Sequence, residues 1–105
     1  MKTLKGYEKK YLRGLAHNLK PLILVGKEGI TEAIVRAAEE GLGQHELIKI
    51  KFNEYKEKEQ RVPLTDQLVE RTGSALIGTI GHTATLFRPQ ADPAKRRIRL
   101  PERGA

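Results

Sequence analysis

This chain of 105 residues has no cysteine and no tryptophan. The missing thiols exclude disulfides, thiolate metal sites and a cysteine nucleophile, and they fit a reducing cytoplasm. Aromatic residues are few: Tyr7, Tyr11, Phe52, Tyr55 and Phe87. A surface that grips nucleic acid by stacking base after base is therefore poorly supplied. No run approaches the roughly 20 apolar residues of a membrane span. The N-terminus lacks the uninterrupted apolar stretch of a signal peptide. These absences predict a soluble cytoplasmic protein with no membrane partner.

Chemistry that would mark an enzyme is also missing. His17, His45 and His82 share no metal-ligand spacing with one another or with a carboxylate. Each is expected to cap, pack or sit in a turn. Glu39-Glu40 and Glu57/Glu59 read as exposed carboxylates rather than as an acid–base pair. There is no Ser-His-Asp elbow. The expectation is a protein with no catalytic residue, no metal, no cofactor and no small-molecule substrate.

What the chain does have is positive charge, unevenly placed. The formal net charge is +7. Residues 1–27 carry a balance of +6, residues 28–87 one of −3, and residues 88–105 one of +4. The ends hold the cations and the middle is mildly acidic. Such a distribution points to a polyanion as partner, and RNA or DNA is the obvious one.

Periodicity gives the elements. Thr3 is placed to cap a first helix, in which Leu4, Tyr7, Tyr11, Leu12, Leu15 and Ala16 share an apolar face. Lys5, Lys9 and Arg13 recur at the same steps along another face as a nearly pure basic stripe. Pro21 ends the helix by Lys20. Leu22 to Val25 has no polar face and reads as a central strand covered on both sides. A second helix is expected from Thr31 to Leu42, stopped by Gly41 or Gly43. Its buried stripe would be Ile30, Ile34, Ala37, Ala38 and Leu42.

Leu47 to Phe52 reads as a strand, with Ile48, Ile50 and Phe52 on one face and Lys49 and Lys51 on the other. Those two lysines suit a wet strand face or edge protection. Asn53 to Gln60 is a charged loop whose only anchor is Tyr55. A shorter third helix follows, with Pro63 in its first turn and Thr72-Gly73 at its close. Ala75–Ile80 and Thr83–Phe87 form a hairpin through Gly81-His82, a type II′ signal. The order is helix, strand, helix, strand, helix, strand, strand. It predicts an α/β fold in a single compact domain over residues 1–89, with a four-stranded mixed sheet packed with helices. Residues 90–105 read as a basic, largely extended tail. Its Lys95, Arg96, Arg97 and Arg99 suit an electrostatic arm.

One segment carries the most information. Gly26-Lys27-Glu28-Gly29 lies between an apolar strand and a helix that Thr31 caps. Glycines let backbone approach a phosphate closely, and a helix N-terminus favours negative charge. The pattern is not a Walker loop, because its lysine lies between the glycines with no hydroxyl after it. A Gly-x-x-Gly loop in KH domains holds a nucleic-acid backbone, which is an analogy of chemistry only. Glu28 puts a carboxylate inside the loop, so phosphate enters only if that side chain points away.

Several segments, in one register over about residues 3 to 89, resemble a known family. They are Leu12-Arg13-Gly14-Leu15-Ala16-His17, Lys20-Pro21, Val25-Gly26-Lys27-Glu28-Gly29-Ile30-Thr31 and His45-Glu46-Leu47-Ile48-Lys49. Thr72-Gly73 and Gly81-His82 through Leu86-Phe87-Arg88-Pro89 continue the match. The family is the CRM domain (chloroplast RNA splicing and ribosome maturation) in its stand-alone, YhbY-like bacterial form. The resemblance implies a fold similar to the C-terminal domain of translation initiation factor 3. It implies RNA binding through the glycine loop and nearby basic surface, and work on precursors of the large ribosomal subunit.

The RNA-contact set that follows is Gly26, Lys27, Glu28, Gly29 and Thr31 at the loop, Lys5, Lys9 and Arg13 on the first helix, and Lys20 and Arg88 from the matched segments. Two other readings stay open. One is an RNA chaperone or intron-splicing factor acting on another RNA. The other is a basic protein–protein interaction module.

Overall fold

The computed structural model describes residues 3–102. They form α1 (Gly6–Ala16), β1 (Ile23–Val25), α2 (Glu32–His45), β2 (Leu47–Phe52), α3 (Lys58–Thr72), β3 (Ala75–Ile80) and β4 (Thr83–Phe87). One mixed sheet has the order β1-β2-β4-β3. β1 runs parallel to β2, and the other two pairings are antiparallel.

Alternation along β2 sorts the core into two sides. Ile48, Ile50 and Phe52 meet Val35, Ala38 and Leu42 of α2 and Leu68 of α3. Leu47 faces the other way, with Phe87 and Ile77, and packs against Leu4, Leu12 and Ala16. Two helices therefore cover one face of the sheet and α1 covers part of the other.

Several expectations need correction. The residue capping α1 is Lys5, not Thr3, because the Lys5 N–H donates to the Glu8 carboxylate at 2.8 Å. That bond draws Glu8 into the buried stripe with Leu12 and Ala16, and turns Tyr11 and Leu15 out to solvent. β1 is an edge strand, not a central one, and Leu24 is 56% exposed. The sheet places β1 beside β2 alone, and α1 does not reach over it.

The second helix runs through both glycines to His45. Gly41 is there for contact, since a Cβ at that position would lie 2.6 Å from Leu22 Cδ2. The residue that ends the helix is Glu46, in the left-handed region at φ 65. The third helix is longer than expected, with 15 residues, and Pro63 stands inside it rather than in its first turn. Its early turns are polar, so periodicity could not show them. They are fixed by the Arg61 guanidinium, which donates to the carbonyls of Tyr55 and Lys56 at 2.9 and 2.6 Å. Gly73 closes α3 at φ 64 and Gly81 turns the hairpin at φ 55.

The segment after β4 returns across the domain. Glu46 explains how. Its side chain is fully buried, and no basic group pairs with it among the described residues. Instead Oε2 accepts from the Gln90 N–H at 2.8 Å. Oε1 accepts from the N–H groups of Arg97 and Ile98 at 2.8 and 2.9 Å. The Glu46 carbonyl accepts from the Arg88 N–H at 2.8 Å. Ile98 and Leu100 then pack on the α1 side of the core. Lys95, Arg96, Arg97 and Arg99 stay exposed on a segment tied down at three amides.

Candidate nucleic-acid interface

Strands β1 and β2 end side by side, and four connections gather at that end of the sheet. They are the loop Gly26–Gly29, the residues Asn53–Glu57, the first turn of α3 and the hairpin turn Gly81-His82. Asn53 N–H donates to the Val25 carbonyl at 2.9 Å, and Phe52 N–H to the His82 carbonyl at 2.8 Å. These bonds hold the connections together.

Within the loop, Gly29 N–H donates to the Gly26 carbonyl at 3.1 Å and closes a turn. Lys27 and Glu28 are its two central residues, both exposed. Gly29 takes φ 74, and a Cβ there would stand 3.4 Å from Tyr55 Oη. The conformation rather than space demands glycine. Tyr55 itself lies at φ 60, and its hydroxyl donates to the Lys27 carbonyl at 2.6 Å. A tyrosine from a separate connection thus pins the turn from behind, leaving the Lys27 ammonium in front. The loop's only anchor in the sequence reading packs against the core with its ring and also holds the turn with its hydroxyl.

The N–H groups divide into used and open. Gly29 uses its own in the turn, and Thr31 donates to the Gly29 carbonyl at 3.2 Å. The Thr31 side chain caps α2 as expected, accepting from Ile34 N–H at 3.2 Å. No hydrogen bond among the described residues takes up the N–H groups of Lys27, Glu28 or Ile30. The first turn of α2 adds those of Glu32 and Ala33, which have no intrahelical acceptor. The helix is 14 residues long, enough for its dipole to favour an anion here.

The other expected contact residues are dispersed. Lys5, Lys9 and Arg13 lie on α1, across the sheet from α2. Arg13 is partly engaged, since its guanidinium donates to the Ile77 carbonyl at 3.4 Å and its stem lies over Gly78. Lys20 precedes β1, so it stands at the opposite end of that strand from the loop. Arg88 follows β4, also at the far end. It donates to the Glu39 carboxylate and the Thr72 carbonyl, each at 2.8 Å, and so joins the C-terminal halves of α2 and α3.

Other cations sit nearer the loop, among them Lys51, which the sequence reading took for a wet-face or edge-protecting lysine. Lys51 pairs across the sheet with Leu24 and Thr83, one register before Val25 and Phe52 close the β1–β2 pairing at the loop end. Lys58 and Arg61 belong to the first turns of α3 and line a cleft beside His82. Their polar helix start hid them. No group of three or more His, Asp or Glu side chains that could hold a metal occurs among the described residues.

The profile of the CRS1 / YhbY (CRM) domain matches residues 4–88. The chain belongs to this family. It is 36% identical over 103 residues to a Haemophilus influenzae protein named "RNA-binding protein", covering 98% of this chain and 100% of that one. It is 33% identical over 98 residues to a Bacillus subtilis protein named "Probable RNA-binding protein YqeI", covering 93% and 99%. The solution structure of hypothetical protein SAV1595 from Staphylococcus aureus superposes with a TM-score of 0.80 at 33% identity, covering 94% of this chain and 100% of that one. The α/β domain with three helices and a four-stranded mixed sheet is therefore shared.

Proposed function

We propose that this protein binds RNA through the sheet end that carries Gly26–Gly29, and that it acts in the cytoplasm on the precursor of large-subunit ribosomal RNA as an assembly factor. The observation that carries the reading is the pinned turn. Lys27 stands at its tip, open N–H groups surround it, and Tyr55 fixes its backbone. A site ordered before binding loses less entropy when it meets phosphate. Phosphate contacts position the RNA without reading sequence. Specificity then rests on RNA shape and on the 2′-hydroxyls, because aromatic residues for stacking are few.

Lys51 and Lys58 extend the positive surface at this end, and Lys5 and Lys9 offer a separate stretch at and after the start of α1. Arg88 is left out of the contact set because its guanidinium is engaged inside the protein. Lys20 is left out because it stands at the far end of β1. RNA binding draws support from the relatives' names. The ribosomal part draws on the resemblance to single-domain members of the family.

Crosslinking in cells, followed by sequencing of the bound RNA, tests both parts. Recovery of large-subunit precursor RNA is the expected result. Recovery of messenger or intron RNA alone would favour the chaperone or splicing reading. No RNA above background would defeat RNA binding itself.

A further inference from the structure

Of the exposed large apolar side chains, Leu15, Leu19 and Leu22 come together at the end of the molecule away from the glycine loop. They are 42%, 40% and 51% exposed. Leu15 closes α1, and a turn bond from Leu19 N–H to the Ala16 carbonyl, 2.9 Å, brings Leu19 back beside it. Leu22 leads into edge strand β1. Together with Leu47, Ile48 and Ile98 they line one groove. A small apolar groove with a polar rim has the form of a binding site.

The rim decides what. Lys20, Lys49 and His45 border the groove, and no acidic side chain lines it. Lys49 Nζ reaches the His17 carbonyl at 3.5 Å, which holds that cation at the edge. An RNA backbone would meet the rim but would also be pressed on leucine, with no Phe, Tyr or Trp ring to stack a base. A second copy of this chain would bring the same cations and a net charge of +7. A metabolite would find few converging polar groups to orient it. An acidic protein segment satisfies both features, with aliphatic side chains on the floor and carboxylates at the rim.

We propose that the groove between α1, the start of β1 and the returning C-terminal segment docks an acidic, leucine-rich segment of a protein partner. The site lies apart from the glycine loop, so one molecule can hold RNA at one end and protein at the other. Lys20 belongs to this rim rather than to an RNA track. Ile98 joins the floor only because Glu46 holds the segment that carries it.

The test is selection of a random peptide library displayed on phage against the full chain, followed by methyl NMR with the winning synthetic peptide. Enriched sequences should combine Leu, Ile or Phe with Asp or Glu. Titration should move the methyl signals of Leu15, Leu19, Leu22 and Ile98 and leave the Lys27 and Gly29 amides in place. Leu19→Ser should weaken the peptide about tenfold, as expected when most of one leucine's burial is lost. Lys20→Glu, at an exposed position, should weaken it as well and serves if Leu19→Ser lowers the melting temperature. Neutral or basic winners, or binding indifferent to both variants, would overturn the proposal. So would a single-stranded RNA oligomer that moves the same methyls, or methyl shifts that follow protein concentration alone.

Discussion

Replacing Glu46 by Gln changes one oxygen to an NH2 group and removes one charge. In the wild-type chain the carboxylate accepts from three backbone N–H groups, all at 2.8 or 2.9 Å. The Gln oxygen keeps Arg97 and Ile98, which share one carboxylate oxygen. The new NH2 then faces the Gln90 N–H, donor against donor. Losing a hydrogen bond to a charged acceptor costs about 1.5–3 kcal/mol. The two bonds that remain weaken toward the neutral range of roughly 0.5–1.5 kcal/mol each. Relief from burying an unpaired charge offsets part of this. The net loss expected is about 2 kcal/mol, which in a domain of this size lowers the melting temperature by roughly 8–16 °C.

The backbone at the same residue supplies a control. Glu46 lies at φ 65, where a side chain costs roughly 1–2 kcal/mol that glycine does not. Glu46→Gly and Glu46→Ala both lose the carboxylate, but only glycine recovers that strain. Glu46→Gly is therefore expected to be the more stable of the two by about 1 kcal/mol. Urea unfolding followed by circular dichroism gives the stabilities, and amide exchange at Gln90, Arg97 and Ile98 reports on the docked segment. A wild-type midpoint for Glu46→Gln with those three amides still protected would refute the clamp. Equal midpoints for the glycine and alanine variants would refute the strain.

Further outcomes concern the loop and α1. Lys27→Glu should weaken RNA by about tenfold or more, the size of one charge-assisted contact, at an unchanged melting temperature; unchanged affinity would remove the loop from the interface. Tyr55→Phe removes the 2.6 Å bond to the Lys27 carbonyl and should lower both RNA affinity and stability, the latter by about 1 kcal/mol, as read by gel shift and thermal melt. Gly29→Ala should cost roughly 1–2 kcal/mol and Gly29→Asn less, because Asn enters the left-handed region more readily while the nearest atoms leave room for a Cβ. Lys5→Gln with Lys9→Gln should flatten log K against log salt by about 0.7 for each phosphate contact they make on single-stranded RNA; an unmoved slope would make the stripe a solvated face.

The second strand and the final hairpin were legible because their patterns are strict. Ile48, Ile50 and Phe52 against Lys49 and Lys51 left one reading, and Gly81-His82 left one kind of turn. Helix ends were less legible because the decisive groups come from far along the chain. Gly41 and Gly43 looked like stops when only the helix was considered. Seen with Leu22 and Ile48, Gly41 is the position that allows close approach. The stop is Glu46, a residue with no propensity for the left-handed region, held there by amides more than 40 positions away. No local rule could place it. The polar start of α3 was hidden for a related reason, since Arg61 fixes it through carbonyls rather than through apolar periodicity.

The candidate site divides along the same line. Gly26, Lys27, Glu28, Gly29 and Thr31 lie within six positions of one another, so sequence could show that they stand together. Arg88 and Lys20 are cations in matched segments, and charge alone could not tell a free cation from an engaged one. Three-dimensional partners do tell them apart. Arg88 is bound to Glu39 and Thr72, and it joins Glu46 in locking the end of the sheet away from the loop. That lock has a consequence for function. The turn at the other end is held by the Tyr55 hydroxyl on the Lys27 carbonyl, so the bond that fixes it does not draw on the Lys27 ammonium. An acidic partner fixing the loop would instead have weakened the cation that the proposed phosphate contact calls on. Here the acid–base pairing of Arg88 with Glu39 stands at the opposite end, and a neutral hydroxyl holds the loop.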